Sequence, residues 1–174
     1  MNKSFFIKKS NYIIRKFIQK DLDNSYVNWF QNKKNFVFSR HKNNKYYTKY
    51  FKNYIKHHNK KDSFFLACID KKSGLKFGTA TVYIDRKTLT ANIGILIGEQ
   101  NFLKKGHGKK IIELIINYLF LKKNIKRIQV GTNIKNKSMI GICKKLNMVQ
   151  TNVFKKKKNT FINFSLLKNK KELA

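Results

Sequence analysis

Proline is absent from all 174 residues, and cysteine occurs only twice. Cys68 and Cys143 stand far apart with no metal-ligand spacing. That excludes a disulfide-stapled scaffold and a zinc clip, and it reads as two reduced thiols in a cytoplasmic protein with no metal. Acidic residues are also scarce: 8 against 40 lysines and arginines, a formal charge of +32. Arginine itself is rare, confined to Arg15, Arg40, Arg86 and Arg127. No run approaches the ~20 apolar residues that a membrane span needs. The opening MNKSFFIKKSNYII is basic, but it lacks the sustained apolar core and small-residue cleavage site of a secretory signal.

The charge has two readings. It can be a field for polyanions, whether nucleic acid, an anionic membrane or phosphorylated small molecules. It can equally be drift in an A/T-rich genome, whose codons favour Lys, Asn and Ile and avoid Pro. Drift alone leaves the shortage of Asp and Glu unexplained. An anionic small-molecule ligand is favoured over a nucleic-acid surface.

An apolar fraction of 41% and 14% aromatics are enough for one globular domain with its own core. Tyr12 to Ile18 (YIIRKFI) predicts a first strand, followed by a helix start at DLDNS and the amphipathic piece SYVNWFQN. Tyr47, Tyr50, Phe51, Tyr54 and Ile55 recur at helical spacing in YTKYFKNYIKH and read as core packing. SFFLACI, KFGTATVYI and TANIGILIG, separated by turn signals, predict an antiparallel three-strand meander. A helix over IIELIINYLF, the strand RIQVGT, a helix in NKSMIGICKKL and the closing strands MVQTNVF and TFINFSLL complete the chain. The sum is an α/β (α+β layered) domain over 1–167, with a mostly antiparallel mixed sheet and two crossover helices. Residues 168–174 form a short basic tail.

The informative stretch is NFLKKGHGKKIIE, residues 101–113. Gly106 and Gly108 let the backbone turn tightly and leave no Cβ in a ligand's way. First-turn amides of the helix that follows, its dipole, and Lys104, Lys105, Lys109 and Lys110 all favour an anion. Neither the Rossmann fingerprint nor a Walker A loop matches, because their spacings are missing. The physical reading is a pyrophosphate cradle.

With its neighbours ANIGILIGEQNFLKKGHGKKIIELIINYLF and RIQVGTNIKNKSMIGICKKLNM, this stretch resembles the GNAT acetyltransferases. The best match is the branch of ribosomal-protein N-terminal and nucleotide-amino-sugar acetyltransferases, which VNWFQN and the FSRH stretch also resemble. The resemblance implies a GNAT-like central sheet flanked by helices, acetyl-coenzyme A as co-substrate, and transfer of an acetyl group to a primary amine. It implies that Leu103, Lys104, Lys105, Gly106, His107, Gly108 and Lys109 hold the pyrophosphate. It places Ile95, Leu96 and Ile97 along the pantetheine and thioester, and Asn136 near the cofactor. Leu103 stands where the family usually has Arg or Gln, and Asn147–Met148 where it often has Gly–Phe.

Cys143 takes the place of a tyrosine that serves many relatives as general acid, although its spacing also suits a core residue. Asn92 takes the place of a glutamate base and cannot accept a proton usefully. Glu99 and His41 are the remaining base candidates. Arg40 and His41 are the candidate acceptor contacts, with Arg40 able to clamp a phosphate. His57 and His58, ending a helix amid lysines, are read as taking no part in the chemistry. The expected acceptor is a small-molecule amine, in the finer reading a nucleotide-linked amino sugar. Protein N-terminal acetylation and a non-catalytic basic binding module are the alternatives. Monomer and homodimer both stay open.

Overall fold

The computed structural model describes residues 5–31, 37–38, 47–58 and 60–169. Its eight strands form one sheet in the order β1-β2-β3-β4-β5-β6-β8-β7. The first two, β1 (Phe6–Lys9) and β2 (Tyr12–Lys16), make an antiparallel hairpin around Ser10, whose φ is 53°. β1 is an addition to the expected order. In FFIKK, Phe5 and Ile7 point inward while Phe6 and Lys8 point out, and the stretch is too short for its alternation to stand out among lysines.

β3 (Ser63–Asp70), β4 (Lys76–Asp85) and β5 (Thr90–Ile97) are the expected meander, antiparallel throughout. The crossover helix α3 (His107–Lys122) then returns the chain to β6 (Arg127–Asn133), which runs parallel to β5. α4 (Lys137–Lys145) leads to the closing hairpin of β7 (Val149–Lys156) and β8 (Asn159–Leu167). Asn136 caps α4 by accepting the Met139 amide at 3.2 Å. Such a cap is worth about 1 kcal/mol. Asn147 ends the helical stretch at φ 54°, so asparagine takes the left-handed turn where glycine is more usual.

The two faces of the sheet carry different cores. On one, α3 buries Ile111, Ile112, Leu114, Ile115, Ile116, Leu119 and Phe120 against inward residues of the strands. Each such side chain is worth about 1.5–3 kcal/mol. On the other lie α1 (Asn24–Gln31) and α2 (Tyr47–His58), where Phe17, Tyr26, Trp29, Phe30, Phe51 and Phe65 form an aromatic cluster.

A buried cation is fixed beneath that cluster. The Lys76 ammonium sits 5.5 Å from the Tyr26 ring centroid and 2.8 Å from Asp23, and it donates to the Asp21 carbonyl. Asp23 in turn accepts the Tyr26 amide at 2.8 Å, so one carboxylate starts α1 and ties it to β4. Partial burial pushes the Asp23 carboxyl up, but hydrogen bonds from Lys76, Tyr26 and Ser25 outweigh it and hold the group below its ordinary range.

The outer strand β7 is exposed along its whole length, with Lys155 to Lys158 at the hairpin end. Lysine on an edge opposes strand-to-strand aggregation, which gives part of the positive charge a plain structural use. Lys168 is not loose: its Nζ donates to the Phe120 carbonyl at 2.9 Å. The rest of the expected tail beyond 169 lies outside the described residues. No helix among the described residues is long and apolar enough to cross a membrane.

Candidate active site

β5 and β6 pair at three positions only: Thr90 with Arg127, Ala91 with Ile128 and Asn92 with Gln129. Beyond them the strands part, while β5 stays bonded to β4 through Ile97 and β6 to β8 through Asn133. Two strand edges therefore face each other across a wedge without bonding. Backbone groups inside a protein need partners, so such edges are suited to a ligand with amides of its own. A cleft of about 430 Å³ fills the wedge, lined by Ile93 to Ile97 on one side and Gly131 and Thr132 on the other. It runs on to Tyr26, Phe30, Tyr54, Phe65 and Tyr83 on the aromatic face.

The glycine loop closes the other end of the wedge. Leu103 and Gly108 both line the cleft. Lys104 and Gly106 are left-handed, at φ 58° and 84°, with Lys105 between them. Left-handed residues in such alternation turn successive N–H groups inward as an anion-binding nest. Gly106 is the N-cap of α3 and supplies no side-chain bond. The first helical amide to find a carbonyl is that of Lys110, on Gly106. The His107, Gly108 and Lys109 amides lie ahead of it, uncapped by any side chain among the described residues. Around them Lys104 and Lys105 are exposed and Lys109 and Lys110 half-buried. The site thus fits a diphosphate on geometry, and an acyl-pantetheine arm on the unpaired edge of β5.

The His107 side chain plays a different part from its backbone. Its Nδ1 meets the Tyr12 hydroxyl at 2.8 Å, and its ring packs on Phe77 and Phe102. The ring anchors the start of α3 to β2 and β4, so the contact open to an anion is the amide. Asn136 lines the cleft, with Oδ1 held by Met139 and Nδ2 donating to Thr132 Oγ1 at 3.0 Å. One Nδ2 hydrogen remains to offer.

Two candidate catalytic groups are misplaced for chemistry. Glu99 accepts the Trp29 indole N–H at 2.7 Å and is not part of the cleft lining. It braces α1 against the end of β5, a placement that speaks against a base. Cys143 points into the core, fully buried, and burial pushes its thiol up to about 11. A thiol sealed in that way cannot reach a leaving sulfur, so its helical spacing records packing. Arg40 and His41 lie outside the described residues. Glu99→Gln keeps an acceptor for Trp29, so kcat should stay within about threefold of wild type. A general base would lose 10²-fold or more, about 2.7 kcal/mol, in a steady-state thiol-release assay.

The sequence alone did not single out Tyr83, and it pointed to no chemistry for His58. Tyr83 lies opposite Asn92 in the β4–β5 register, so both project from the same face of the sheet. His58 Nε2 is 2.6 Å from the Tyr83 hydroxyl. The alternation of KFGTATVYI already set Tyr83 on one face with Thr79 and Thr81. Nothing local revealed which histidine would meet it.

A family model described as an acetyltransferase (GNAT) domain matches residues 11–149. The chain belongs to the GNAT family and is an N-acetyltransferase. Solved structures agree on the fold. A GNAT-family acetyltransferase from Bacillus anthracis superimposes with a TM-score of 0.80 at 16% identity, over 94% of this chain and 98% of that one. RimL, a ribosomal L7/L12 alpha-N-protein acetyltransferase in complex with coenzyme A, gives 0.82 at 8% identity, over 94% and 98%. The microcin C7 self-immunity acetyltransferase MccE, in complex with acetyl-CoA and AMP, gives 0.76 at 18% identity, over 92% and 94%. No curated protein matches the sequence.

Proposed function

We propose that this acetyltransferase moves the acetyl group of acetyl-coenzyme A to the primary amine of a small, nucleotide-linked acceptor, with a nucleotide-linked amino sugar as the favoured class. The observation that carries this reading is the composition of the cleft. It is walled by Tyr26, Phe30, Phe38, Tyr54, Phe65 and Tyr83, and no carboxylate of the described residues lines it. Aromatic faces and hydroxyls suit a planar base or a sugar. A polycationic amine or a basic peptide calls for carboxylates instead. The AMP bound by MccE supports a nucleotide in this fold. Arg40 is the proposed clamp on an acceptor phosphate and His41 its neighbour, both on their chemistry alone.

When bound, acetyl-coenzyme A supplies the activated acyl group. Leu103 to Lys109 are proposed to hold its diphosphate through main-chain amides, with Lys104, Lys105 and Lys109 adding charge. One backbone N–H between Ile95 and Ile97 would stabilise the developing oxyanion, aimed there by the strand itself. Holding thioester and amine in register can supply about 7–11 kcal/mol of the barrier.

A second reading, N-terminal acetylation of a protein, draws on the similarity to RimL. Free-thiol release measured with amino-sugar nucleotides and with basic peptides separates the two. The sugar nucleotides should be used with the higher kcat/KM. A preference for peptides would replace the first reading by the second, and failure to bind acetyl-coenzyme A at micromolar concentration would end both.

A further inference from the structure

The glutamate position is Asn92, Glu99 is committed to Trp29, and Cys143 is sealed in the core. An ammonium acceptor must still lose a proton before its nitrogen can attack. The acceptor end of the cleft contains a pair able to take that proton.

His58 ends α2 with its ring stacked on Tyr54, centroids 3.6 Å apart. Its Nδ1 lies 2.9 Å from the Tyr54 backbone carbonyl. A carbonyl only accepts, so Nδ1 carries the hydrogen. The neutral ring then has its lone pair on Nε2, and Nε2 faces the Tyr83 hydroxyl at 2.6 Å. Tyr83 is thereby the donor in that bond. Its oxygen can accept the Tyr54 hydroxyl hydrogen and still keep one lone pair for another hydrogen, and the side chain lines the cleft. Tyr83 stands two residues along β4 from Thr81, the partner of Gly94 on the wedge-lining part of β5. That is a separation of about 7 Å along the strand. The Tyr54 hydroxyl lies 3.3 Å from that of Tyr83 and helps to fix it. The C-terminal end of α2 favours a positive charge on His58. Among the described residues the ionisable groups in contact with the ring are Tyr54 from its own helix and Tyr83 from β4. Tyr26, in the same cleft, is no substitute, since burial pushes its phenol well above the ordinary range.

We propose that Tyr83 and His58 form the proton-accepting relay of the acetyl transfer, with Tyr83 touching the acceptor amine and His58 storing the proton. This rests on the acetyltransferase reading of the cleft. The ammonium gives one proton to Tyr83 Oη while the Tyr83 proton moves to His58 Nε2. The products are a neutral amine, a neutral tyrosine and an imidazolium. The nitrogen lone pair forms the C–N bond, and the C–S bond breaks with its electron pair left on sulfur. The second nitrogen proton goes to that thiolate, and His58 later returns its proton to solvent.

Two probes of different basicity test the relay: tyramine, an ammonium at pH 7, and benzoic hydrazide, already neutral there. Tyr83→Phe and His58→Gln should each lower kcat/KM for tyramine on the order of 100-fold or more, the usual scale of general-base catalysis. The hydrazide, which needs no such deprotonation, should lose far less, and acetyl-coenzyme A affinity by titration calorimetry should not change. The wild-type tyramine pH profile should show an acid limb, and that limb should vanish in His58→Gln. Equal losses for both amines would reduce the pair to a packing role and overturn the proposal.

A readout independent of turnover is the tautomer of His58 by ¹⁵N NMR of the wild-type protein. A proton on Nδ1 with bare Nε2 is expected, and a proton on Nε2 overturns the relay. Should wild type turn over neither probe, the tautomer alone decides. Wild type failing to bind acetyl-coenzyme A would instead strike the acetyltransferase reading.

Discussion

Gly108→Glu should lose acetyl-coenzyme A affinity by about 100-fold or more, roughly 2.7 kcal/mol, while remaining folded. A Cβ at this position would lie 3.2 Å from Ile142 Cδ1 and 3.9 Å from Ile97 Cγ1. The first is the end of a side chain that can give by a few tenths of an ångström and the second is at ordinary van der Waals distance, so the backbone need not move. What changes is the cleft. A carboxylate would stand among the first-turn amides of α3, where it satisfies the helix dipole in place of the diphosphate and repels that diphosphate as well. Calorimetric titration with acetyl-coenzyme A and a thermal melt of the same sample make the check. Unchanged affinity would remove the cradle from the site.

Gly98→Ala should be the most destabilising single methyl group that can be added at this end of the sheet. The new Cβ would fall 1.9 Å from Trp29 Cδ2 and 2.2 Å from Cε3. Trp29 is a rigid ring, 4% exposed, packed edge-on to Tyr26 at 5.3 Å. It cannot yield by a rotamer change without leaving the cluster and breaking its bond to Glu99. Overpacking of this kind costs about 3 kcal/mol. For a chain of this size that is about 6–12 °C in Tm. Trp29 is the single tryptophan, so fluorescence excited selectively in tryptophan, beyond the tyrosine absorption, reports on it alone. A red-shifted emission maximum together with the lowered Tm is expected. A wild-type melt would mean that Trp29 does not fill the space above Gly98.

Much of the architecture could be read from local pattern. The unbroken apolar runs of SFFLACI and IIELIINYLF, and the alternation of KFGTATVYI, each describe an element whose neighbours are close in sequence or repeat regularly. The glycine loop was legible for the same reason, because its conformational demand falls on Gly106 itself. The contacts that assign roles are of another kind. Trp29 and Glu99 meet across 70 positions of chain, and His58 and Tyr83 across 25. Glu99 read as a base because its proximity to β5 was visible and its indole partner was not. Cys143 was ambiguous for a related reason: helical spacing fixes a face, and only packing decides whether that face meets a cleft or a core. His58 was set aside amid lysines because its tautomer depends on a carbonyl one helical turn away.

The early parting of β5 from β6 gives the sheet a seam through its middle. Five strands lie on one side and three on the other, joined by three residue pairs and the helices that bridge them. In the proposed complex the amides of the pantetheine arm act as the missing rung of that ladder. The co-substrate then serves the enzyme as a fragment of its own backbone, and filling the site completes the secondary structure as well as the chemistry.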